Sequence, residues 1–147
     1  MRLAVILLVI GACLPFVVAQ EAPPYRSAEN PYQEDLAFST GQLVVLRVDV
    51  QGVQLDGLTV IPQREPTAGE LVPCNVQLSG TNQAAGKVIV TTVLLLEDAN
   101  GRGIERVQLE SFKVKSGRQF AETSEVDISG AALLAARRVY VFIELSF

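Results

Sequence analysis

In the stretch VYVFIELSF, residues 139–147, every second residue is a large apolar one, which is the two-residue period of a β-strand. We predict that it is the closing strand of the fold, with one face packed on the core. The predicted inward set is Val139, Val141, Ile143, Leu145 and Phe147, and the opposite set is Tyr140, Phe142, Glu144 and Ser146. The stretch VVLRVDV, residues 44–50, repeats the same period, so a second strand with one buried face is expected there.

Further strand patterns fill the chain between these two stretches. The run 87–96 is apolar on both faces, which is typical of a central strand. A change of phase at Glu110-Ser111 indicates a β-bulge or a strand that bends between the two sheets. Ser129 is placed to cap a helical turn over residues 131–136. About seven short strands separated by Gly, Pro and Asn turns predict an all-β fold. We expect an antiparallel β-sandwich domain over residues 42–147.

The first nineteen residues, MRLAVILLVIGACLPFVVA, form an apolar segment behind a single Arg2. Small residues before Gln20 favour a signal peptide that is cleaved after Ala19. An uncleaved helix would instead anchor the chain in a membrane through residues 3–19, and Cys13 loosely matches a lipidation site. All three interpretations place the folded part outside the cytoplasm, in the periplasm or at the cell surface.

Residues 20–41 form a Pro-containing and mostly polar segment without a periodic apolar pattern. We predict an extended spacer there. A Pro-Tyr pair occurs twice in it and supplies Tyr25 and Tyr32. One interpretation is a solvated linker with two chance aromatic residues. The other is a docking arm whose two tyrosines bind a partner protein, because an aromatic side chain buries a large area with few rotatable bonds.

Composition argues against catalysis and against several classes of ligand. The chain has no histidine, which removes the commonest general base and most zinc sites. Neighbouring carboxylates such as Glu97-Asp98 point to opposite faces of an extended chain, so no catalytic, metal or cofactor site is expected. Beyond residue 19 there are 11 basic and 16 acidic residues without a basic cluster, which argues against nucleic acid. Cys74 then lacks an intrachain partner and is expected to be a buried thiol.

One part of the chain resembles a recurring pattern of exported bacterial domains. The stretch GELVPCNVQL, residues 69–78, looks like the opening of bacterial immunoglobulin-like domains, and residues 87–101 are similar to the central hairpin of FxLYD-type and CARDB-type modules. The resemblance covers residues 69–128. The chain lacks the aromatic-x-Leu-Tyr-Asp signature of the FxLYD family and has LLLED, residues 94–98, in its place. The resemblance implies that the β-sandwich over residues 42–147 is immunoglobulin-like. It also implies adhesion, display or assembly rather than catalysis, and it carries over no site residue.

Two functional hypotheses follow from these features. The first is a non-catalytic structural or accessory subunit of a membrane or cell-envelope assembly, bound to other proteins of that assembly. The second is a secreted or surface-displayed module that binds a carbohydrate or another ligand, or mediates adhesion. The sequence favours the first, because the chain has no Trp and because Tyr140 and Phe142 are expected on a buried strand. A small-molecule ligand is not expected.

Overall fold

The computed structural model of the 147-residue chain describes residues 24–147. The predicted signal or anchor at residues 1–19, and the first four residues of the predicted spacer, lie outside the described residues. Within the described part no helix is long and apolar enough to cross a bilayer. The elements are β1 (Arg26–Ser27), β2 (Tyr32–Ala37), β3 (Val44–Val50), β4 (Val53–Pro62), β5 (Leu71–Asn82), β6 (Val88–Glu97), β7 (Gly103–Gln108), β8 (Phe112–Val114), β9 (Gln119–Ser129), α1 (Gly130–Ala135) and β10 (Arg138–Ser146).

The strands form an all-β sandwich of two five-stranded sheets. Sheet A has the order β1-β3-β4-β5-β9, and sheet B has the order β2-β10-β6-β7, with β8 also paired to β6. All pairs are antiparallel except β1 with β3. The central position predicted for the run 87–96 is confirmed, because β6 has β10 on one side and β7 and β8 on the other.

The core lies between the two sheets and is built from alternate residues of each strand. In β10 these are Val139, Val141, Ile143 and Leu145, each at most 3% exposed. Burial of one such side chain stabilises the fold by about 1.5–3 kcal/mol, so this strand is a major contributor to stability. Phe147 was predicted to join the inward set, but it follows the last paired residue and is 62% exposed. Cys74 is completely buried in the core, as predicted.

The structure differs from the predicted spacer over its described part. Residues 26–27 and 32–37 are strands of the sandwich, and β2 pairs with β10 at six positions. Asn30 fixes the segment, because its side-chain amide donates to the carbonyl oxygen of Leu145 at 2.7 Å and its Oδ1 accepts from the Leu145 amide at 3.0 Å. The Asn30 side chain thus imitates a strand pairing. Such long-range pairing leaves no signal in a short polar segment.

Two further predictions concern local structure. Ser129 caps α1, and its Oγ accepts a hydrogen bond from the Ala132 amide at 3.1 Å, as predicted. The bulge predicted at Glu110-Ser111 is instead a break between β7 and β8, which lie along the same edge of β6. The predicted strand count of about seven therefore becomes ten, because β1, β2 and this break were not anticipated.

Candidate functional site

The outer face of sheet B carries a shallow groove of about 310 Å³. Strand alternation builds it, because the residues that face away from the core fall in adjacent rows on neighbouring strands. Tyr140 pairs in register with Leu95, and Phe142 pairs with Val93. Leu95 pairs in turn with Arg106 of β7. These five side chains line the groove, and its floor is largely apolar.

Sequence reasoning assigned Tyr140 and Phe142 to the face opposite the core residues but wrongly expected their strand to be buried. They were expected on a buried strand, but they are half-buried on the outer face of sheet B. Their strand is central, yet no element of residues 24–147 packs over this face. The sequence did contain a signal for this groove, because β10 carries apolar or aromatic residues on both of its faces. An outer face exposed to solvent is usually polar, so aromatic residues on it indicate a binding surface.

Polar side chains surround the groove on the β2 and β7 sides. The Tyr140 hydroxyl donates to Oε1 of Gln33 at 2.5 Å, and Arg106 Nη2 donates to Oε1 of Gln108 at 3.0 Å. At one end Arg138 Nε donates to Oδ1 of Asp35 at 3.0 Å. Amide and guanidinium groups beside an apolar floor can exchange these hydrogen bonds for bonds to a hydroxyl-rich ligand.

A buried carboxyl group lies beyond this end of the groove. Glu97 of β6 pairs in register with Arg138 and is 7% exposed. Burial raises the pKa of Glu97. The neighbouring Asp35 raises it further, both through its charge and through a hydrogen bond with Glu97. Oε2 of Glu97 has no hydrogen-bond partner among residues 24–147. Burial and the neighbouring Asp35 carboxylate therefore both disfavour the charged form of Glu97.

The two tyrosines of the predicted arm lie within the described part of the chain. The Tyr25 ring packs under Arg47, whose Cζ lies 4.2 Å from the ring centroid, and its hydroxyl donates to Asp56. Tyr32 is 3% exposed and donates to Oε2 of Glu34 at 2.5 Å. Both tyrosines are thus held by contacts within the sandwich. A partner-binding role for Tyr25 and Tyr32 stays a prediction.

Two further observations concern metal ligands and the thiol of the described residues. No group of three or more carboxylate or thiol side chains among residues 24–147 is arranged to hold a metal ion. The Cys74 thiol is enclosed in the core, and burial raises its pKa, with the charges of Asp127 and Glu105 adding to the effect. A thiol of raised pKa is a poor nucleophile at neutral pH.

Comparison with known proteins gives no family assignment and only weak structural likeness. No protein-family model matches the chain, and no curated protein matches it in sequence. Among solved structures, the chain is similar to the CBM22-1 xylan-binding domain from Paenibacillus barcinonensis Xyn10C, at 11% identity. The alignment covers 80% of this chain and 86% of that domain, with a TM-score of 0.23. A TM-score this low carries no argument about function, and the β-sandwich assignment rests on the strand pairing described above.

Proposed function

We propose that the chain is an exported, non-catalytic β-sandwich module that binds a carbohydrate in the groove on the outer face of sheet B. The observation that carries the proposal is the placement of Tyr140 and Phe142 on that face, each beside an apolar residue of β6, Leu95 and Val93 respectively. Export rests on the apolar segment at residues 1–19. An immunoglobulin-like arrangement of the sandwich is part of the same proposal.

The chemistry of the groove fits a sugar better than a purely apolar ligand. Sugar rings have apolar faces formed by C–H groups and edges formed by hydroxyls. Aromatic side chains can cover the faces, while Gln33, Arg106 and Gln108 at the rim can hydrogen-bond the edges. The groove volume of about 310 Å³ lies at the lower end of the range for ligand pockets, so one or two sugar units would fill it.

The proposal is tested by affinity electrophoresis of the full chain, in a mild detergent, through gels that contain hydroxyethyl cellulose, soluble xylan or polygalacturonate. We expect retardation by at least one of these polymers. Tyr140→Ala and Phe142→Ala should each weaken it about tenfold, since an aromatic contact contributes about 0.5–1.5 kcal/mol beyond the area it buries.

The matched control is Phe147→Ala, because Phe147 is an exposed aromatic residue outside the groove. It should migrate like the parent chain. Unfolding curves of all variants establish that the changes in migration do not come from unfolding. Retardation that survives both Tyr140→Ala and Phe142→Ala would contradict the assignment of the groove.

A second candidate function is an accessory subunit that binds other proteins of an envelope assembly. It is favoured by three exposed apolar side chains on or beside the first strands of sheet A: Leu43, Val45 and Ile61, which are 59%, 56% and 47% exposed. Replacing all three by Ser should release the chain from such an assembly while leaving carbohydrate binding intact. If Tyr140→Ala abolished binding to the assembly as well as binding to carbohydrate, the contacts with partner proteins would lie in the groove instead.

A further inference from the structure

The three lysines of the chain gather at one end of sheet B. Lys113 of β8 pairs in register with Ile89 of β6, and Val114 pairs with Val88. This register sets Lys87 and Lys115 opposite each other, one residue beyond the paired strands. All three lysines are exposed, and none forms an ion pair within residues 24–147. The sequence was expected to lack a basic cluster, but strand pairing assembles one from distant segments.

A turn held by hydrogen bonds positions this cluster. The Gly117 amide donates to the carbonyl oxygen of Asn82 at 2.7 Å, and the Asn82 amide donates to that of Arg118 at 2.9 Å. The Ser116 hydroxyl donates to the carbonyl oxygen of Ala84 at 2.5 Å. Lys87 and Lys115 therefore lie on two turns that are tied together, so their charges are held close despite their flexible side chains.

The lysines lie on the same face of sheet B as the groove. Along β6, Ile89, Val93 and Leu95 alternate with the buried residues, so they share the outer face. Lys113 stands beside Ile89, four residues from Val93, which corresponds to about 13 Å along the strand. Glu144 lies on this face between the groove and the lysines, paired with Thr91, and contributes one opposing charge.

We infer that the carbohydrate bound by this face is an anionic polysaccharide. Its sugar rings pack on Tyr140 and Phe142, and carboxylates of sugar units farther along the polymer pair with Lys113 and Lys115. This inference rests on the proposed function and adds the charge of the ligand to it. A linear polymer reaches both features because they follow one strand, whereas the net negative charge of the chain repels an anionic ligand elsewhere.

Charge preference is measured by calorimetric titration of the full chain with polygalacturonate oligosaccharides and with the same oligosaccharides fully methyl-esterified, which are neutral. We expect the anionic form to bind about tenfold more tightly at low salt, and this advantage should shrink at high salt. Lys113→Gln combined with Lys115→Gln should weaken binding of the anionic form about tenfold, because each exposed ion pair contributes up to about 1 kcal/mol. Binding of the neutral form should not change.

Two comparisons make the test specific. The control variant Arg64→Gln combined with Arg102→Gln removes the same charge from exposed arginines outside the lysine cluster and should bind like the parent. Glu144→Gln should strengthen binding of the anionic form about two- to threefold. Equal weakening by the control would show a general charge effect and overturn the inference.

The remaining outcomes separate this inference from the proposed function. If both forms bind equally and Tyr140→Ala weakens binding of both about tenfold, the proposed function stands and the inference fails. If neither form binds and no neutral polymer is retained, both fail. If the chain ignores polygalacturonate but binds anionic phospholipid vesicles through Lys113 and Lys115, the cluster recognises a membrane, and the inference is overturned.

Discussion

The hydroxyl of Tyr140 donates a 2.5 Å hydrogen bond to Oε1 of Gln33, and this contact links the central strand β10 to the edge strand β2. The bond holds the phenol ring at the side of the groove while its hydroxyl is already engaged within the protein. We infer that the ring, rather than the hydroxyl, is what Tyr140 offers to a ligand.

Tyr140→Phe should therefore keep most of the affinity for carbohydrate that Tyr140→Ala loses. We expect a change of less than threefold in the dissociation constant, because the ring is retained. The free energy of unfolding should fall by no more than about 1 kcal/mol, since the lost hydrogen bond is exposed. Calorimetric titration and urea unfolding check the two values. A Tyr140→Phe variant as weak as Tyr140→Ala would mean that the hydroxyl contacts the ligand directly.

Glu97→Gln should stabilise the chain at neutral pH by about 1 kcal/mol, because it removes a buried carboxylate beside Asp35. The pKa of Glu97 in the folded chain lies above its ordinary value of 4.5, so the folded state holds this proton more tightly than the unfolded state. The contribution of Glu97 to stability therefore falls as pH rises from about 4.5 through the folded pKa.

The measurement is the free energy of unfolding of Glu97→Gln and of the parent across pH 4–8. The extra stability of Glu97→Gln over the parent should vanish as the pH falls toward 4. Glu122→Gln serves as the control, because it removes a carboxylate that is exposed. The comparison is made between Glu97→Gln and the parent at the same pH, because the parent's own stability also depends on Glu34. The pKa of Glu34 is shifted in the opposite direction. Burial raises its pKa, but hydrogen bonds from Tyr32 and Arg26 outweigh burial and lower it. An advantage that grows toward acid would contradict the assignment.

Cys74 should react slowly with a thiol reagent in the folded chain and rapidly after unfolding. Its side chain is fully buried, and Sγ donates to the carbonyl oxygen of Val72 at 3.3 Å. The test uses a Cys13→Ser background so that Cys74 is the single thiol. Cys74→Ala should cost about 1–2 kcal/mol of stability through lost packing. Rapid labelling of the folded chain, or an interchain disulfide in native material, would contradict this account.

Gly130→Ala should destabilise the fold by about 3 kcal/mol or more. A Cβ at Gly130 would lie 1.9 Å from the carbonyl oxygen of Thr67, which is backbone and cannot move aside like a flexible side chain. Gly86→Ala is the matched control, because a Cβ there meets no atom within 4 Å. Urea unfolding distinguishes the two variants. Equal stability of both would show that the loop carrying Thr67 adjusts freely.

The parts of the fold that could be predicted are those fixed by local pattern. In residues 44–50 and 139–145 every second residue is aliphatic, and the structure has strands β3 and β10 there. The Ser129 cap was predictable because a hydroxyl before a helical turn bonds an amide three residues later. The strand role of residues 32–37 was missed because their pairing depends on β10, which lies at the other end of the chain.

The candidate site was predictable only in its parts. Tyr140 and Phe142 were assigned correctly to one face of the closing strand, but the sequence does not say whether another layer covers that face. The lysine cluster needs the register of β6 against β8, which brings Lys87 and Lys115 together across a long sequence separation. Contacts of this kind are set by tertiary packing, and no periodic pattern records them.

The most direct test of the account is an amide NMR titration of the full chain with polygalacturonate oligosaccharides and their methyl-esterified form. Binding in the groove predicts chemical-shift changes concentrated at residues 91–95, 105–108 and 139–143 with both forms. Further changes at Lys113 and Lys115 should appear with the anionic form alone. Changes confined to the strands of sheet A, or no changes with either form, would contradict the claim that the outer face of sheet B binds carbohydrate.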